Sequence, residues 1–188
     1  MRALILHMMV SLDGFAAGLD GDLEWVGVDD PDLDGYLGEL LGSVDAQIFG
    51  RKSYELLAQY WPQAQENPAT PGDAKLAALV NGLPKIVVTS RPDAPLDWQP
   101  ASTVGADLTA EIAELKRRPG KPLVLFAGAS TAQEFLRREL VDEIRLLIFP
   151  VLLGAGEPLF TDGTRRNLQF LESRPFPTSG VVLQSYRT

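Results

Sequence analysis

The sequence contains no cysteine and a single histidine, His7. A disulfide is therefore impossible, and a zinc site built from cysteine and histidine ligands is excluded as well. The chain also lacks any apolar run near the roughly 18 residues that a membrane-spanning helix requires, so no membrane partner is predicted. A cysteine-free chain suits a reducing compartment, and we expect a cytoplasmic protein.

Positive charge is also scarce. The 188 residues carry 17 Lys and Arg against 25 Asp and Glu, a formal net charge of -8. Such a charge repels polyanions, which argues against nucleic acid or an anionic membrane as a partner. The length and the 45% hydrophobic content are those of one globular domain, and we predict a single domain over 1–188.

The N-terminus imitates a signal peptide, because Arg2 is followed by an apolar run and then by small residues. His7 interrupts that run and Asp13 follows it, and neither suits a cleaved leader. We therefore interpret the segment as a buried strand. His7 is then expected to be a hydrogen-bonded residue of the core or of a cleft.

Several common site motifs are missing. The glycine-rich dinucleotide fingerprint and the Walker A sequence are absent, and "GAG" at 154–156 predicts a turn. No GxSxG elbow accompanies His7, so a Ser-His-Asp hydrolase has no support. The acidic run 28–37 begins like a calcium loop, but Leu41 replaces the bidentate glutamate at its twelfth position.

Near-continuous apolar runs alternate with helical patterns. The helical spacing of Leu33, Leu37, Leu40, Leu41 and Val44 predicts one amphipathic helix, and that of Leu108, Ile112 and Leu115 predicts a second. Ser130 and Gln133 form a capping-box pattern that predicts a third helix start. The apolar runs are typical of strands in a parallel sheet and lie at 3–10, 46–50, 85–90, 122–128 and 143–153.

The C-terminal part follows a different pattern. Segments 167–176 and 180–187 are separated by a short turn and predict an antiparallel β-hairpin. Segment 62–74, rich in Pro, Gln and Ala, is predicted to be a surface loop. The fold class that results is α/β, with a mostly parallel sheet closed by the hairpin.

Three short polar segments follow predicted strands at their carboxyl ends, where open α/β sheets bind ligands. A glycine followed by cations or hydroxyl groups at the start of a helix favours an anion, because free N–H groups and the helix dipole face it. In an acidic protein these segments predict a phosphate site. They are Gly50-Arg51-Lys52-Ser53, Thr89-Ser90-Arg91 and Gly128-Ala129-Ser130-Thr131.

In their order and spacing, "FGRKSYE", "IVVTSR" and "FAGAST" resemble the cofactor-binding segments of dihydrofolate reductases. "SLDGFAA" and "LVDEIRLLIFPVLLGAGEPLF" are more similar to the C-terminal reductase domain of the bifunctional riboflavin-biosynthesis deaminase/reductase and its stand-alone relatives. The resemblance covers essentially the whole chain. It implies a dihydrofolate reductase-like three-layer fold and an NADPH-dependent oxidoreductase that reduces a pterin, pyrimidine or similar heterocycle.

The resemblance also implies roles for individual residues. Arg51, Ser90 and Arg91 would hold the 2′-phosphate of NADPH. Asp13 and Gly14 would approach the nicotinamide and the substrate. The pyrophosphate would lie against Lys52, Ser53, Ala129, Ser130 and Thr131. The family's paired glycines correspond to Gly128-Ala129 here, and the resemblance implies a strained peptide bond at that place, with the cis form as one way to be strained.

Asp34 is the candidate proton donor. It lies about as far before the Gly-Arg motif as the substrate-binding carboxylate of dihydrofolate reductases, and helical geometry puts it roughly 80° from the centre of the buried stripe. The alternative is that Asp34 is an acidic residue that favours a helix N-terminus. Asp32, roughly 120° from the same centre, is expected to face water.

Three functions stay open at this stage. The first is a reductase acting on a small heterocycle, and the second is 5-amino-6-(5-phosphoribosylamino)uracil reductase of riboflavin biosynthesis. The third is a nucleotide-binding protein without reductase activity. The apolar segment "IRLLIFPVLL" and the terminal hairpin also predict a homodimer.

Overall fold

An eight-stranded β-sheet runs through the centre of the molecule. The computed structural model describes residues 1–161, 163 and 165–188. A further pair of short strands, β2 and β8, forms a separate two-stranded sheet. The strands are β1 (Leu4–Ser11), β2 (Phe15–Ala17), β3 (Ala46–Gly50), β4 (Lys85–Val88), β5 (Ala101–Val104), β6 (Leu123–Leu125), β7 (Glu143–Phe149), β8 (Glu157–Pro158), β9 (Gln169–Phe176) and β10 (Val181–Arg187).

The strand order in the main sheet is β5-β4-β3-β6-β1-β7-β10-β9. Neighbours from β5 to β7 pair in parallel. Strand β10 is antiparallel to both β7 and β9, so the last two strands form the hairpin at one edge. The predicted α/β class, the mostly parallel sheet and the terminal hairpin are confirmed.

Helices cover both faces of this sheet. Helices α5 and α6 pack on one face, where Ile112 and Phe135 join a cluster with the β1 residues Leu4 and Leu6. Helix α1 packs on the other face, and Leu33 and Leu40 contact Ile5 and Leu147 there. The helices are α1 (Pro31–Gly42), α2 (Arg51–Ala58), α3 (Trp61–Glu66), α4 (Pro71–Gly82), α5 (Leu108–Arg117) and α6 (Ala129–Arg137), with 3₁₀ turns at Leu19–Gly21 and Glu24–Val26.

Helix α1 begins at a strong capping residue. The buried carboxylate of Asp30 accepts hydrogen bonds from the backbone N–H groups of Asp32 and Leu33, and Pro31 occupies the first helical position. The same carboxylate accepts from the N–H and hydroxyl of Ser179, at 2.9 and 2.7 Å. Asp30 therefore caps the helix and attaches the turn of the terminal hairpin to it.

The predicted loop over 62–74 is wrong. Residues 62–66 lie in α3 and residues 71–74 in the first turn of α4, so the connection is only 67–70. Both helices have proline in their opening turn, where its missing N–H is tolerated. Thr70 and Asp73 form a capping box at the start of α4. The strands are also shorter than the apolar runs, since β6 covers only Leu123–Leu125 and β7 ends at Phe149.

The carboxyl ends of β4, β3 and β6 lie side by side at one edge of the sheet. In register, Gly50 of β3 lies opposite Val88 of β4, and Ile48 of β3 lies opposite Leu125 of β6. The three polar segments predicted to bind phosphate therefore begin next to one another. Within the described residues, no helix combines the length and apolar character needed to cross a bilayer.

Candidate functional site

Two helices begin at this edge with a glycine as their N-cap. Gly50 precedes α2 and Gly128 precedes α6, both have extended backbone angles, and neither helix has a side chain capping its first turn. The backbone N–H groups at the two helix starts are left for another acceptor. Together with the dipoles of two helices, this arrangement favours an anionic group.

The two helix starts are in direct contact. The N–H of Gly128 donates a hydrogen bond to the hydroxyl of Ser53, at 3.0 Å. A Cβ atom on Gly50 would lie 2.4 Å from Oγ1 of Thr131, which is far closer than side-chain atoms approach. Glycine at position 50 therefore allows α2 and α6 to begin side by side.

The capping box predicted from Ser130 and Gln133 is wrong. Helix α6 begins at Ala129, one residue before Ser130, so Ser130 lies inside the first turn. The Gln133 side chain donates to the carbonyl of Pro158 at 2.8 Å. The extended backbone of Gly128 already supplies the N-cap conformation, and the strand, glycine and helix order is confirmed.

The strained peptide expected at Gly128–Ala129 is also absent. Gln99–Pro100 is the one cis peptide bond within the described residues, so Gly128–Ala129 is trans. Gly128 has φ -72° and ψ 166°, and Ala129 is helical. A Cβ atom on Gly128 would lie 3.8 Å from its nearest neighbour, which is an ordinary contact distance. Unlike position 50, position 128 therefore has room for a methyl group.

The cations at this edge differ in their surroundings. The Arg51 guanidinium bonds the Glu55 carboxylate at 2.6 Å and donates to the carbonyls of Pro95 and Ala94 at 2.9 and 3.4 Å. Arg51 therefore also holds the loop that follows Arg91. Glu55 was not predicted from the sequence, although its i,i+4 spacing from Arg51 is a signal for such a pair.

The second polar segment leaves its side chains accessible. The hydroxyl of Thr89 accepts a hydrogen bond from the N–H of Arg91 at 3.0 Å, which shapes the turn after β4. The side chains of Ser90, Arg91 and Lys52 are exposed. These three residues lie near the edge defined by Gly50, where an anion could reach them.

A cavity of about 170 Å³ opens beside the start of α2. It lies between the carboxyl-terminal parts of β1 and β6 and the inner face of α2, and most of its walls are apolar. Leu57 and Phe126 contribute to it, and neither was singled out from the sequence. The lining residues are His7, Met8, Met9, Ala16, Leu23, Ser53, Leu56, Leu57, Phe126 and Ala127.

His7 is a buried residue of this cavity wall, 2% exposed. Its ring stacks on Tyr36 with 5.8 Å between centroids and meets the edge of Phe126 at 5.3 Å. Burial, followed by the charge of Arg145, lowers the pKa of His7 to about 3. The imidazole is therefore neutral near pH 7.

The two candidate carboxylates lie apart from this cavity lining. Asp13 accepts hydrogen bonds from the Ser11 hydroxyl at 2.6 Å and from the N–H groups of Leu153 and Gly154 at 3.1 and 2.8 Å. These bonds, the Ser11 bond first, lower the pKa of Asp13. They also join the loop after β1 to the turn at 154–156, which the "GAG" sequence predicted.

Asp34 packs between α1 and the start of α4. A Cβ atom on Gly72 would lie 2.3 Å from its carboxylate oxygen, so the two are in close contact. Burial raises the pKa of Asp34, and the charge of Lys75 opposes that shift. Asp32 is exposed, as expected. The position of Asp34 agrees with a role at a helix N-terminus, while its proposed role in proton transfer stays a prediction.

The chain matches the family described as the RibD C-terminal domain over residues 2–182. It is 41% identical to the uncharacterised protein YyaP of Bacillus subtilis (strain 168), over 96% of this chain and 92% of YyaP. A shorter match covers 48 residues, 26% of this chain and 21% of the relative, at 48% identity. That relative is 2,5-diamino-6-ribosylamino-4(3H)-pyrimidinone 5′-phosphate reductase of Aquifex aeolicus (strain VF5).

Solved structures agree with the family match. A Shewanella sp. PV-4 protein provisionally assigned to riboflavin biosynthesis has a TM-score of 0.78 and 25% identity, over 99% of this chain and 98% of the other. Dihydrofolate reductase from Enterococcus faecalis, complexed with NADP(H), has a TM-score of 0.67 and 14% identity, over 98% and 95%. The fold is therefore dihydrofolate reductase-like, as predicted.

Proposed function

The chain belongs to the RibD C-terminal domain family, and on that basis we propose that it is an NADPH-dependent reductase of a small heterocycle, of the pterin or pyrimidine kind. The observation that supports this proposal most strongly is the contact between two glycine-capped helix starts, joined by Ser53 and Gly128. Paired helix N-termini without side-chain caps suit a diphosphate, which carries negative charge on both of its phosphates.

The residues at this edge fit the parts of the cofactor. The pyrophosphate would bind at the two helix starts, through Lys52, Ser53, Ala129, Ser130 and Thr131, with Gly50 and Gly128 permitting close approach. The 2′-phosphate would bind near Arg51, Thr89, Ser90 and Arg91. When bound, NADPH would supply the hydride, while the protein's part is to hold and orient the reactants and to exclude water.

The substrate would occupy the cavity beside α2. Its apolar walls, formed by Phe126, Leu57 and Met9 among others, suit the faces of a planar ring. Asp34 and Asp13 remain candidates for catalytic residues. Asp13 would act by holding the loop after β1 against the turn at 154–156 through its bonds to Leu153 and Gly154. For Asp34, a role in proton transfer requires a path from α1 to the cavity.

Two alternatives remain. The first is 5-amino-6-(5-phosphoribosylamino)uracil reductase of riboflavin biosynthesis, and a phosphorylated pyrimidine substrate of this kind is favoured by the Aquifex aeolicus relative, a 2,5-diamino-6-ribosylamino-4(3H)-pyrimidinone 5′-phosphate reductase. A nucleotide-binding protein without reductase activity would use the same phosphate site.

The test is NADPH oxidation, followed at 340 nm, with a dihydropterin, a quinone and the phosphoribosylamino-uracil. Turnover of one of them supports the reductase, and turnover of the last identifies the riboflavin reaction. NADPH binding without any oxidation would favour the third function.

We further propose a cytoplasmic homodimer. Strand β9 is the edge strand of the sheet, and Phe170 and Leu171 on it are exposed, as is Leu168 just before it. An edge strand with exposed apolar side chains is a template for pairing with another strand. Light scattering should give twice the chain mass of 20.5 kDa, and a mass near 20.5 kDa would contradict the dimer.

A further inference from the structure

The cavity beside α2 has two lining residues with polar side chains, His7 and Ser53. The hydroxyl of Ser53 is already bonded to the N–H of Gly128. The Nε2 atom of His7 is buried and has no hydrogen-bond partner among the residues that the structure describes. Of the polar side chains in this lining, His7 is therefore the one with unused hydrogen-bonding capacity.

The surroundings of His7 hold its ring in place. The residue lies in the middle of β1, a central strand of the sheet, and its ring is packed between Tyr36 of α1 and Phe126. A buried nitrogen without a hydrogen-bond partner lowers the stability of the folded protein. A ligand that supplies the missing partner recovers that loss when it binds, so the unpaired nitrogen favours a ligand with a polar group at this point.

The charges around His7 keep it neutral. Arg145 lies opposite His7 in the register of β1 and β7, and its guanidinium is paired with Glu143 at 2.6 Å. A second positive charge beside Arg145 is unfavourable, and burial acts in the same direction. A neutral imidazole has one donor nitrogen and one acceptor nitrogen, so His7 can pair with a polar ring edge without bringing a charge into the cavity.

We propose that His7 is a specificity-determining residue that binds the polar edge of a nitrogen heterocycle through Nε2, while the ring faces pack against Phe126 and Leu57. This inference rests on the proposed function and adds a residue and a substrate feature to it. His7 would select planar heterocycles that carry N–H, amino or carbonyl groups at the ring edge. Purely apolar rings would leave Nε2 unpaired.

The single histidine makes the experiment specific. In ¹⁵N-labelled protein, the imidazole nitrogens of His7 are the only histidine signals, so only Nδ1 and Nε2 have to be told apart, by their couplings to the ring C–H protons. The probe is 6-methylpterin, titrated with and without NADPH. The variants are His7→Phe, which keeps an aromatic ring, and His7→Gln, which keeps a donor and an acceptor. The control is Ser185→Ala, which removes a buried, unpaired hydroxyl opposite Arg145 in the register of β7 and β10.

We expect 6-methylpterin to shift the Nε2 resonance of wild type. His7→Phe should bind the pterin roughly 3- to 10-fold more weakly, the effect of one neutral hydrogen bond, with His7→Gln closer to wild type. Ser185→Ala should bind it normally, and no variant should change NADPH affinity. The inference would be overturned if the pterin bound without moving the Nε2 resonance and bound His7→Phe as tightly as wild type. It would also be overturned if the pterin bound neither with nor without NADPH. Failure of NADPH alone to bind would count against the proposed function, since the pterin titration without NADPH reports on His7 independently.

Discussion

The hydroxyl of Ser53 accepts a hydrogen bond from the backbone N–H of Gly128, across 75 positions of the sequence. This contact joins the first turn of α2 to the N-cap of α6. Both helices begin at the carboxyl edge of the parallel sheet, so the bond fixes the separation of two helix N-termini at the proposed pyrophosphate site.

Replacing Ser53 by alanine should weaken this junction. The loss of one neutral hydrogen bond should lower the free energy of unfolding by about 0.5–1.5 kcal/mol. NADPH and NADH should lose affinity equally, because they share the pyrophosphate. Urea denaturation and calorimetric titration measure the two effects. Ser102→Ala, at an exposed position of β5, is the control, and unchanged cofactor affinity in Ser53→Ala would argue against a pyrophosphate at this junction.

The two N-cap glycines should respond differently to the same substitution. Gly50→Ala puts a methyl group 2.4 Å from Oγ1 of Thr131, and overpacking of this kind costs about 1–3 kcal/mol. Gly128→Ala has 3.8 Å to its nearest neighbour and should change stability by much less. Thermal unfolding of the two variants compares them directly. Equal destabilisation would show that the close approach at Gly50 does not limit the contact between α2 and α6.

His7 should make stability depend on pH. The pKa of His7 is about 3 in the folded protein and near 6.5 when unfolded. Between these values the unfolded chain binds an extra proton, so acidification favours unfolding. His7 alone should remove about 1.4 kcal/mol per pH unit below pH 6.5. Urea denaturation at pH 5 and pH 7 measures the free energy of unfolding at each pH. The loss of stability between pH 7 and pH 5 should be smaller in His7→Phe than in wild type, by the contribution of His7. Identical pH dependence in the two proteins would mean that folding does not lower the pKa of His7.

The Asp34→Asn variant tests whether the Asp34 carboxyl group transfers a proton to the substrate or only packs at a helix start. Because Asp34 is the candidate proton donor, we expect Asp34→Asn to lower turnover while NADPH affinity stays unchanged. Since burial raises the pKa of Asp34, removing the charge should not destabilise the protein at pH 7. Steady-state kinetics from pH 5 to 9 measure this, and unchanged turnover across that range would limit Asp34 to its packing role beside Gly72.

The sequence predicted the layered fold because its signals are local. The apolar runs, the helical stripe of α1 and the hairpin turn each depend on neighbouring residues, and all three are confirmed. The loop predicted over 62–74 from its Pro, Gln and Ala content is mostly wrong, because proline is tolerated in the opening turn of a helix and lies there in α3 and α4. The capping box failed because Gly128 replaced Ser130 as the N-cap.

The site was harder to predict where it depends on long-range packing. The phosphate-type segments could be located, since glycine, cations and hydroxyl groups follow strands in the sequence. The Ser53–Gly128 bond, the contact between Gly50 and Thr131 and the aromatic packing of His7 could not, because each joins distant parts of the chain. The position of Asp34 was predicted from its own helix alone, because the first turn of α4, which packs against it, lies in the segment predicted to be a loop.

The central claim is that this edge of the sheet binds NADPH through its phosphates, and calorimetric titration of NADPH and NADH tests it most directly. Wild type should bind one NADPH per chain more tightly than NADH, because guanidinium groups match the oxygens of the 2′-phosphate. A hydrogen bond to a charged group contributes about 1.5–3 kcal/mol, so Arg91→Ala or Arg51→Ala should weaken NADPH roughly 10- to 150-fold and leave NADH unchanged. Arg117→Ala, at the end of α5, is the matched control. Equal losses for both cofactors, or no loss for either, would contradict this account.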